Sequence, residues 1–186
     1  MKLEVSSHFR LVLAVGVLSA LSISSSLTAC SGPEKGELER KVSTRAAPGS
    51  FRTAGVTTVF ERRCGSLDCH GGIGRNMRIY SSRGLRLPNE AGLRPGVGET
   101  TLDEITANYQ SILTLEPELV NAVIDGADPY TLLILKKPLE LEKHKGGGAI
   151  RKGDDAERCI VSWLKEDLLT PIDTVACTNA ATFPKE

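Results

Sequence analysis

The sequence predicts an all-α domain over residues 51–186. Apolar side chains in this region recur three and four positions apart, the spacing that gives a helix one buried face. Capping residues at one end and Gly or Pro at the other bracket these segments. No stretch alternates apolar and polar residues convincingly, as a half-buried strand would. For a chain of 186 residues, one domain with accessory segments is expected.

Composition narrows the class of protein further. Lys and Arg number 23 together and equal Asp and Glu at 23, so no basic surface indicates nucleic-acid binding. Aromatic residues make up only 4% of the chain. A small core with so few large side chains often depends on disulfides, a metal or a cofactor. The cysteines and histidines are therefore the residues of most interest.

The first 29 residues predict an export signal. An apolar run over residues 11–23 follows Lys2 and Arg10 and is too short for a comfortable membrane-spanning helix. The signal ends at Leu27-Thr28-Ala29-Cys30, the pattern of a bacterial lipoprotein signal whose cysteine is lipidated and becomes the new N-terminus. An ordinary signal peptide with a chance cysteine is the alternative.

Residues 30–50 predict a flexible tether that runs from lipidated Cys30 to the domain, because charged residues, Pro and Gly dominate there. Ser31 rather than Asp follows the cysteine, which in this class of signal indicates the outer membrane. We expect a bacterial envelope protein that faces the periplasm. Its near-neutral charge leaves the lipid as its means of membrane attachment.

The first helix of the domain is predicted over Ser50–Arg63. Its apolar side carries Val56, Val59 and Phe60. Another helix begins after Thr101, which forms a capping box with Glu104. Its apolar face carries Leu102, Ile105, Tyr109, Ile112 and Leu113.

Three further helices complete the predicted fold. Pro117 suits the first turn of a helix over residues 119–124, and a helix over residues 130–137 ends at Pro138. The last helix is predicted over Asp155–Leu169, after a capping box of Asp154 and Glu157. Its apolar face carries Cys159, Ile160, Trp163, Leu164 and Leu168.

Four cysteines of the domain mature in an oxidising compartment if the chain is exported. A bridge between Cys159 and Cys177 would pin the C-terminal tail to the last helix and contribute roughly 3 kcal/mol in the chain-entropy model. We predict this disulfide as a purely structural feature.

The other two cysteines lie beside a histidine in Cys64-Gly65-Ser66-Leu67-Asp68-Cys69-His70. Covalent c-type haem attachment uses two thiols, which bond the haem vinyl groups, and an adjacent histidine that binds the iron. Two residues usually separate the cysteines, and the longer spacing here is that of a minority of multihaem sites. The motif favours one covalent haem c, with Cys64 and Cys69 as attachment points and His70 as proximal ligand. A local Cys64–Cys69 disulfide and a Cys/Cys/His zinc site are the alternatives.

His144 is the candidate for the distal position of that iron. Behind the signal the chain holds two histidines, His70 and His144, and one methionine, Met77. Met77 follows His70 too closely to reach the opposite face of a haem. His144 begins the glycine-rich stretch 144–148, whose backbone can approach a porphyrin closely. An exposed histidine on a surface loop is the alternative. The arginines considered as propionate partners are Arg75, Arg78, Arg83 and Arg86.

Three stretches of the chain resemble a known family. They are residues 59–86 (VFERRCGSLDCHGGIGRNMRIYSSRGLR), 130–148 (YTLLILKKPLELEKHKGGG) and 158–164 (RCIVSWL). They are similar to cytochrome c-like lipoproteins of myxobacteria and, more distantly, to cytochrome c-like domains of planctomycete surface proteins. The resemblance implies a small class I-like cytochrome c fold, in which Phe60 and Trp163 pack together, and it implies haem binding with electron transfer. The chain departs from the family in its cysteine spacing and its lack of a late methionine.

These observations together predict an electron carrier rather than an enzyme, with peroxidase-like activity only if the sixth iron position is open. The membrane is contacted through the lipid, no nucleic acid is expected, and the redox partner is not specified by any motif. The alternative is a haem-free helical envelope lipoprotein, stapled by disulfides, that acts as a binding or structural module. No Ser-His-Asp arrangement, phosphate-binding loop or His-Glu-x-x-His motif indicates a conventional enzyme.

Overall fold

The computed structural model describes residues 48–89, 91–92, 94, 98–166 and 170–182. All of them belong to one compact unit, Val42–Glu186. The predicted signal, the lipidation site Cys30 and nearly all of the predicted tether lie outside the described residues, as does Leu168.

Across the described residues the fold is all-α, as predicted, and contains no strand. The α-helices are α1 (Pro48–Thr53), α2 (Val56–Cys64), α3 (Leu102–Leu113), α4 (Pro117–Ile124), α5 (Leu133–Lys136), α6 (Asp155–Leu164) and α7 (Thr174–Thr182). A 3-10 turn, Pro129–Thr131, precedes α5. None of the helices in this part of the chain is long and apolar enough to span a membrane.

The helix predicted over residues 50–63 is in fact two helices. They meet at Gly55, whose backbone has a left-handed conformation (φ 84°). Left-handed backbone costs roughly 1–2 kcal/mol for a residue with a side chain, so the chain turns here at a glycine. α1 begins at Pro48, inside the segment predicted as tether, and its Phe51 is fully buried.

Four aromatic rings on four helices form the centre of the core. Phe51 lies 5.1 Å from Trp163 and 5.5 Å from Tyr109 between ring centres, and Phe60 meets Trp163 edge-on at 6.5 Å. Edge-on aromatic pairs contribute roughly 0.5–1.5 kcal/mol beyond the area they bury. The expected packing of Phe60 on Trp163 is present, and Phe51 of α1 contacts both rings.

The C-terminal helices are covalently joined. The predicted disulfide links Cys159 of α6 to Cys177 of α7, with Cα atoms 4.7 Å apart, and both residues are buried. α6 ends at Leu164, earlier than the predicted Leu169. The C-terminal tail is itself helical, so α7 rather than α6 is the last helix of the described chain.

The capping box predicted for α6 is half formed. Asp154 Oδ1 accepts a hydrogen bond from Glu157 N at 2.8 Å, as expected of an N-cap. The Glu157 carboxylate does not return to the Asp154 amide. It accepts instead from Gly153 N and from the Tyr130 hydroxyl, because Tyr130 is brought against α6 by tertiary packing.

Two other helices differ in detail from their predictions. Extended backbone at Leu132 (φ −77°, ψ 138°) divides the predicted 130–137 helix into the 3-10 turn and α5. α3 has its complete Thr101–Glu104 capping box. Leu102, however, is 57% exposed, so it does not belong to the buried face of α3, which begins at Glu104.

Candidate functional site

The fold brings His70 and His144 together. Their ring centres are 6.2 Å apart and their planes are inclined by only 19°. His70 follows the Cys64–Cys69 turn after α2, whereas His144 lies in the loop between α5 and α6. The two histidines predicted to bind one iron are therefore neighbours, although α3, α4 and α5 separate them in the chain.

A backbone carbonyl orients each imidazole. His70 Nδ1 is 2.8 Å from the carbonyl oxygen of Met77, and His144 Nδ1 is 2.7 Å from that of Gly147. A carbonyl only accepts hydrogen bonds, so Nδ1 of each ring carries the proton and donates. The lone pair of each Nε2 is left available, which is the tautomer of a metal-binding histidine.

The environment of His70 also favours the neutral ring. Burial lowers its pKa, and His144 and Arg75 lower it further, while the bond to the Met77 carbonyl opposes these effects. The neutral imidazole is the form that binds a metal ion. The role of Met77 as the residue that orients His70 was not anticipated from the sequence.

Backbone hydrogen bonds shape the turn that carries the cysteines. His70 N donates to Cys64 O at 2.8 Å, and Cys69 N donates to Ser66 O at 3.0 Å. Cys64 and Cys69 are both free thiols, so the local disulfide considered as an alternative is not formed in this structure. Burial raises the pKa of Cys64 to about 12, and the nearby Cys69 adds to this, so Cys64 is protonated at neutral pH.

Three glycines pack backbone to backbone beside this turn. A Cβ on Gly71 would lie 2.2 Å from Gly65 O and 2.8 Å from Gly84 Cα, distances at which no side chain fits. Ser81 closes the same junction by donating from Oγ to Gly65 O at 2.6 Å. The close approach expected for residues 144–148 was to a porphyrin, and this junction between protein backbones does not test it.

α3 holds the segment that follows His70. Asn108 Oδ1 accepts from Tyr80 N at 2.6 Å, and Asn108 Nδ2 donates to Tyr80 O at 2.9 Å. Ser111 Oγ accepts from Arg78 N at 2.7 Å. Sequence reasoning missed this contribution. The signal for it was a pair of polar residues four positions apart, Glu104 and Asn108, beside the apolar face of α3.

The four arginines considered as propionate partners have different surroundings. Arg86 forms an ion pair with Glu104 at 2.8 Å, with side chains 9% and 0% exposed, so it belongs to the structural core. Arg83 donates to the carbonyl of Arg62, and Arg78 lies over the Tyr80 ring. Arg75 donates to the carbonyls of Asp68 and Cys69 and lies at the histidine pair.

Two cavities adjoin at the histidine pair. Cys64 lines the larger one, of about 440 Å³, and Cys69 lines the smaller one, of about 260 Å³. The apolar wall of the larger cavity consists of Phe60, Met77, Leu115, Leu133 and Ile134. His70, Arg75, His144 and Lys145 border both. An apolar wall with a few convergent polar groups is typical of cofactor sites.

These residues fit a haem with two histidine ligands. If each Nε2 lay about 2 Å from one metal ion between the two rings, the ring centres would be about 6 Å apart. The observed separation is 6.2 Å, and both Nε2 atoms are available. Cys64 and Cys69 are lining residues of the two adjoining cavities at this pair.

The same residues do not assemble as a zinc site. Within the described ranges, no three His, Cys, Asp or Glu side chains gather as a metal-binding group. A zinc site takes three or four protein ligands, so the zinc alternative has no geometry in its favour. A haem iron takes its other four ligands from the porphyrin and needs only two from the protein.

Comparison with known proteins gives no relative. No protein-family model, no curated protein and no solved structure matches this chain. The likeness to cytochrome c-like lipoproteins therefore stays a prediction from the residues quoted above.

Proposed function

We propose that this domain is a c-type cytochrome that carries electrons in the bacterial cell envelope. It binds one haem between His70 and His144 and attaches it through Cys64 and Cys69. The observation that carries the proposal is the histidine pair itself, with ring centres 6.2 Å apart, near-parallel planes and both Nδ1 atoms donating to carbonyls. The alternative, an exposed loop histidine that binds nothing, gives no reason for His144 to lie parallel to His70 at this distance.

The bound haem supplies the ferrous/ferric couple, which no amino-acid side chain provides. His70 and His144 hold the iron, and the carbonyls of Met77 and Gly147 keep both rings in the required tautomer. The apolar wall of the larger cavity limits access of water. Ligation by two histidines favours a lower reduction potential than a His/Met pair, because a Met ligand raises the potential.

The proposal includes a class I-like arrangement and a lipid anchor. The helical fold and the packing of Phe60 on Trp163 support the first. The second rests on the Leu27–Cys30 pattern, which predicts a mature protein held at the outer membrane through Cys30.

The test is covalent haem attachment in a bacterium with the cytochrome c maturation machinery. We expect a haem-stained band on a denaturing gel and a pyridine haemochrome spectrum of the two-thioether kind. The double variant Cys64→Ser/Cys69→Ser should lose the stained band, whereas Cys159→Ser/Cys177→Ser, which removes only the disulfide, should keep it.

A folded, haem-free protein from the same host would contradict the proposal. Peptide mapping would then establish whether Cys64 and Cys69 have oxidised to a disulfide, as the haem-free envelope module requires. The variant His144→Ala tests iron ligation separately from covalent haem attachment. It should keep the stained band and alter the low-spin absorption bands. An unchanged spectrum would show that His144 does not bind the iron.

A further inference from the structure

The two histidines are held by very different structures. The His70 segment, residues 64–86, is tied to itself and to α3 over long distances in the chain. Ile79 N donates to His70 O at 2.9 Å, and Leu85 N donates to Gly71 O at 2.9 Å. The carbonyl that orients His70 belongs to Met77, which is buried in the core. Movement of His70 therefore requires that several buried contacts break together.

The His144 loop, residues 139–148, is tied at its start to α5, where Leu141 N and Glu142 N donate to Lys136 O, and from His144 onward it closes on itself. His144 is oriented by Gly147 O, and Gly147 N in turn donates to His144 O at 3.1 Å. The loop ends meet at Pro138 O, which accepts from Ala149 N at 3.0 Å and from Ile150 N at 3.2 Å. Most of the loop is exposed. Segments with few buried contacts open locally at a small fraction of the free energy of global unfolding.

Space for an incoming ligand would come from the His144 ring itself. The imidazole that leaves with the loop is larger than a diatomic molecule. The histidine on the opposite side, His70, keeps its own support when the loop moves.

We propose that His144 is a releasable ligand and that, when its loop opens, the vacated position binds a small diatomic ligand such as carbon monoxide. This inference rests on the proposed haem function. The exchange would transfer no electron: His144 would move away with its loop, carbon monoxide would supply the lone pair that Nε2 of His144 had supplied, and His70 would keep its place. The site then has a ligand-binding activity in addition to electron transfer.

The experiment is carbon monoxide binding to the reduced holoprotein, followed by stopped-flow absorbance. In the wild-type protein the rate should level off at high carbon monoxide concentration, because release of His144 becomes limiting. In His144→Ala the rate should rise in proportion to the concentration.

Two glycines of the loop provide matched variants. Gly147 has a left-handed backbone (φ 72°), so Gly147→Ala strains the closed loop and should raise the limiting rate about tenfold. Gly146 has no such restriction, and a Cβ there would meet the His144 ring at an ordinary 3.5 Å. Gly146→Ala should therefore slow release about two- to fivefold, since it reduces the freedom of the open loop.

Each contrary result has a distinct meaning. If His144→Ala binds carbon monoxide and the wild-type protein does not within hours, His144 is a permanent ligand and the inference is wrong. If both bind at the same concentration-dependent rate, His144 is not the distal ligand, which also overturns the inference. If no covalent haem forms at all, the proposed function itself fails and the inference fails with it.

Discussion

The His70 segment and the His144 loop present the same side chain in the same tautomer, yet they are built in opposite ways. Both imidazoles donate from Nδ1 to a carbonyl at nearly the same distance, 2.8 Å and 2.7 Å. The carbonyl of Met77 is buried and belongs to a network that reaches α3, whereas that of Gly147 lies in the same exposed loop as its histidine. Rigidity at the site thus comes from where the orienting group is anchored, not from the local hydrogen bond.

The largest expected effect is loss of the ion pair that ties the His70 segment to α3. Arg86→Met leaves Glu104 fully buried without its charged partner, and breaking such a pair costs about 3–5 kcal/mol. The free energy of unfolding, measured by urea denaturation, should fall by this amount. Arg158→Met is the control, because Arg158 is half exposed and pairs with Asp155 on the surface, where an ion pair contributes at most about 1 kcal/mol. Equal losses in the two variants would show that burial does not distinguish these pairs.

A smaller but sharper contrast comes from adding one methyl group to each region. In Gly71→Ala the new Cβ meets Gly65 O and Gly84 Cα, and neither backbone can move freely. Overpacking of this kind costs about 1–3 kcal/mol. Gly146→Ala should not destabilise the protein and should change its global stability by no more than about 1 kcal/mol, because its nearest neighbour is the movable His144 ring. Thermal unfolding of the two variants side by side checks this, and a destabilised Gly146→Ala protein would contradict the freedom assigned to the loop.

Acid should weaken the His70 segment through Glu104. Burial by itself raises the pKa of this carboxyl group, but hydrogen bonds from Arg86, Thr101 N and Leu87 N outweigh burial and hold the pKa below its usual value of 4.5. The folded state therefore binds this proton more weakly than the unfolded chain. The resulting stabilisation is complete above about pH 5 and is lost as pH falls through the folded pKa. In Glu104→Gln the free energy of unfolding should depend less on pH in this range, and an unchanged acid dependence would assign it to other groups.

Hydrogen exchange compares the two regions without any substitution. The amide of Ile79 donates to His70 O within the buried segment, and the amide of Gly147 donates to His144 O in the exposed loop. We expect Ile79 to exchange only on near-global unfolding and Gly147 to exchange through local opening, many times faster. Mass spectrometry of peptides from the two regions measures the ratio. Similar protection in both would remove the distinction between them.

Much of the helical framework was predictable because its signals are local. The Thr101–Glu104 capping box, the proline at the start of α4 and the apolar faces of α2 and α6 each lie within a few residues of one another. The Cys159–Cys177 bridge followed from counting the cysteines that remain beside the histidine motif. The division of the first helix was missed, since a glycine such as Gly55 is tolerable inside a helix.

The sequence by itself determined which groups this protein can use: two thiols beside His70, one further histidine in a glycine-rich loop, and a helical frame to carry them. Only the tertiary structure decided that His70 and His144 lie 6.2 Å apart and that Asn108 and Glu104 of α3 hold one of the two supports. The physical reason is the distance along the chain over which each interaction acts. Helix periodicity and capping act within one or two turns, whereas the spacing of the two imidazoles depends on how α3, α4 and α5 pack between them in the chain.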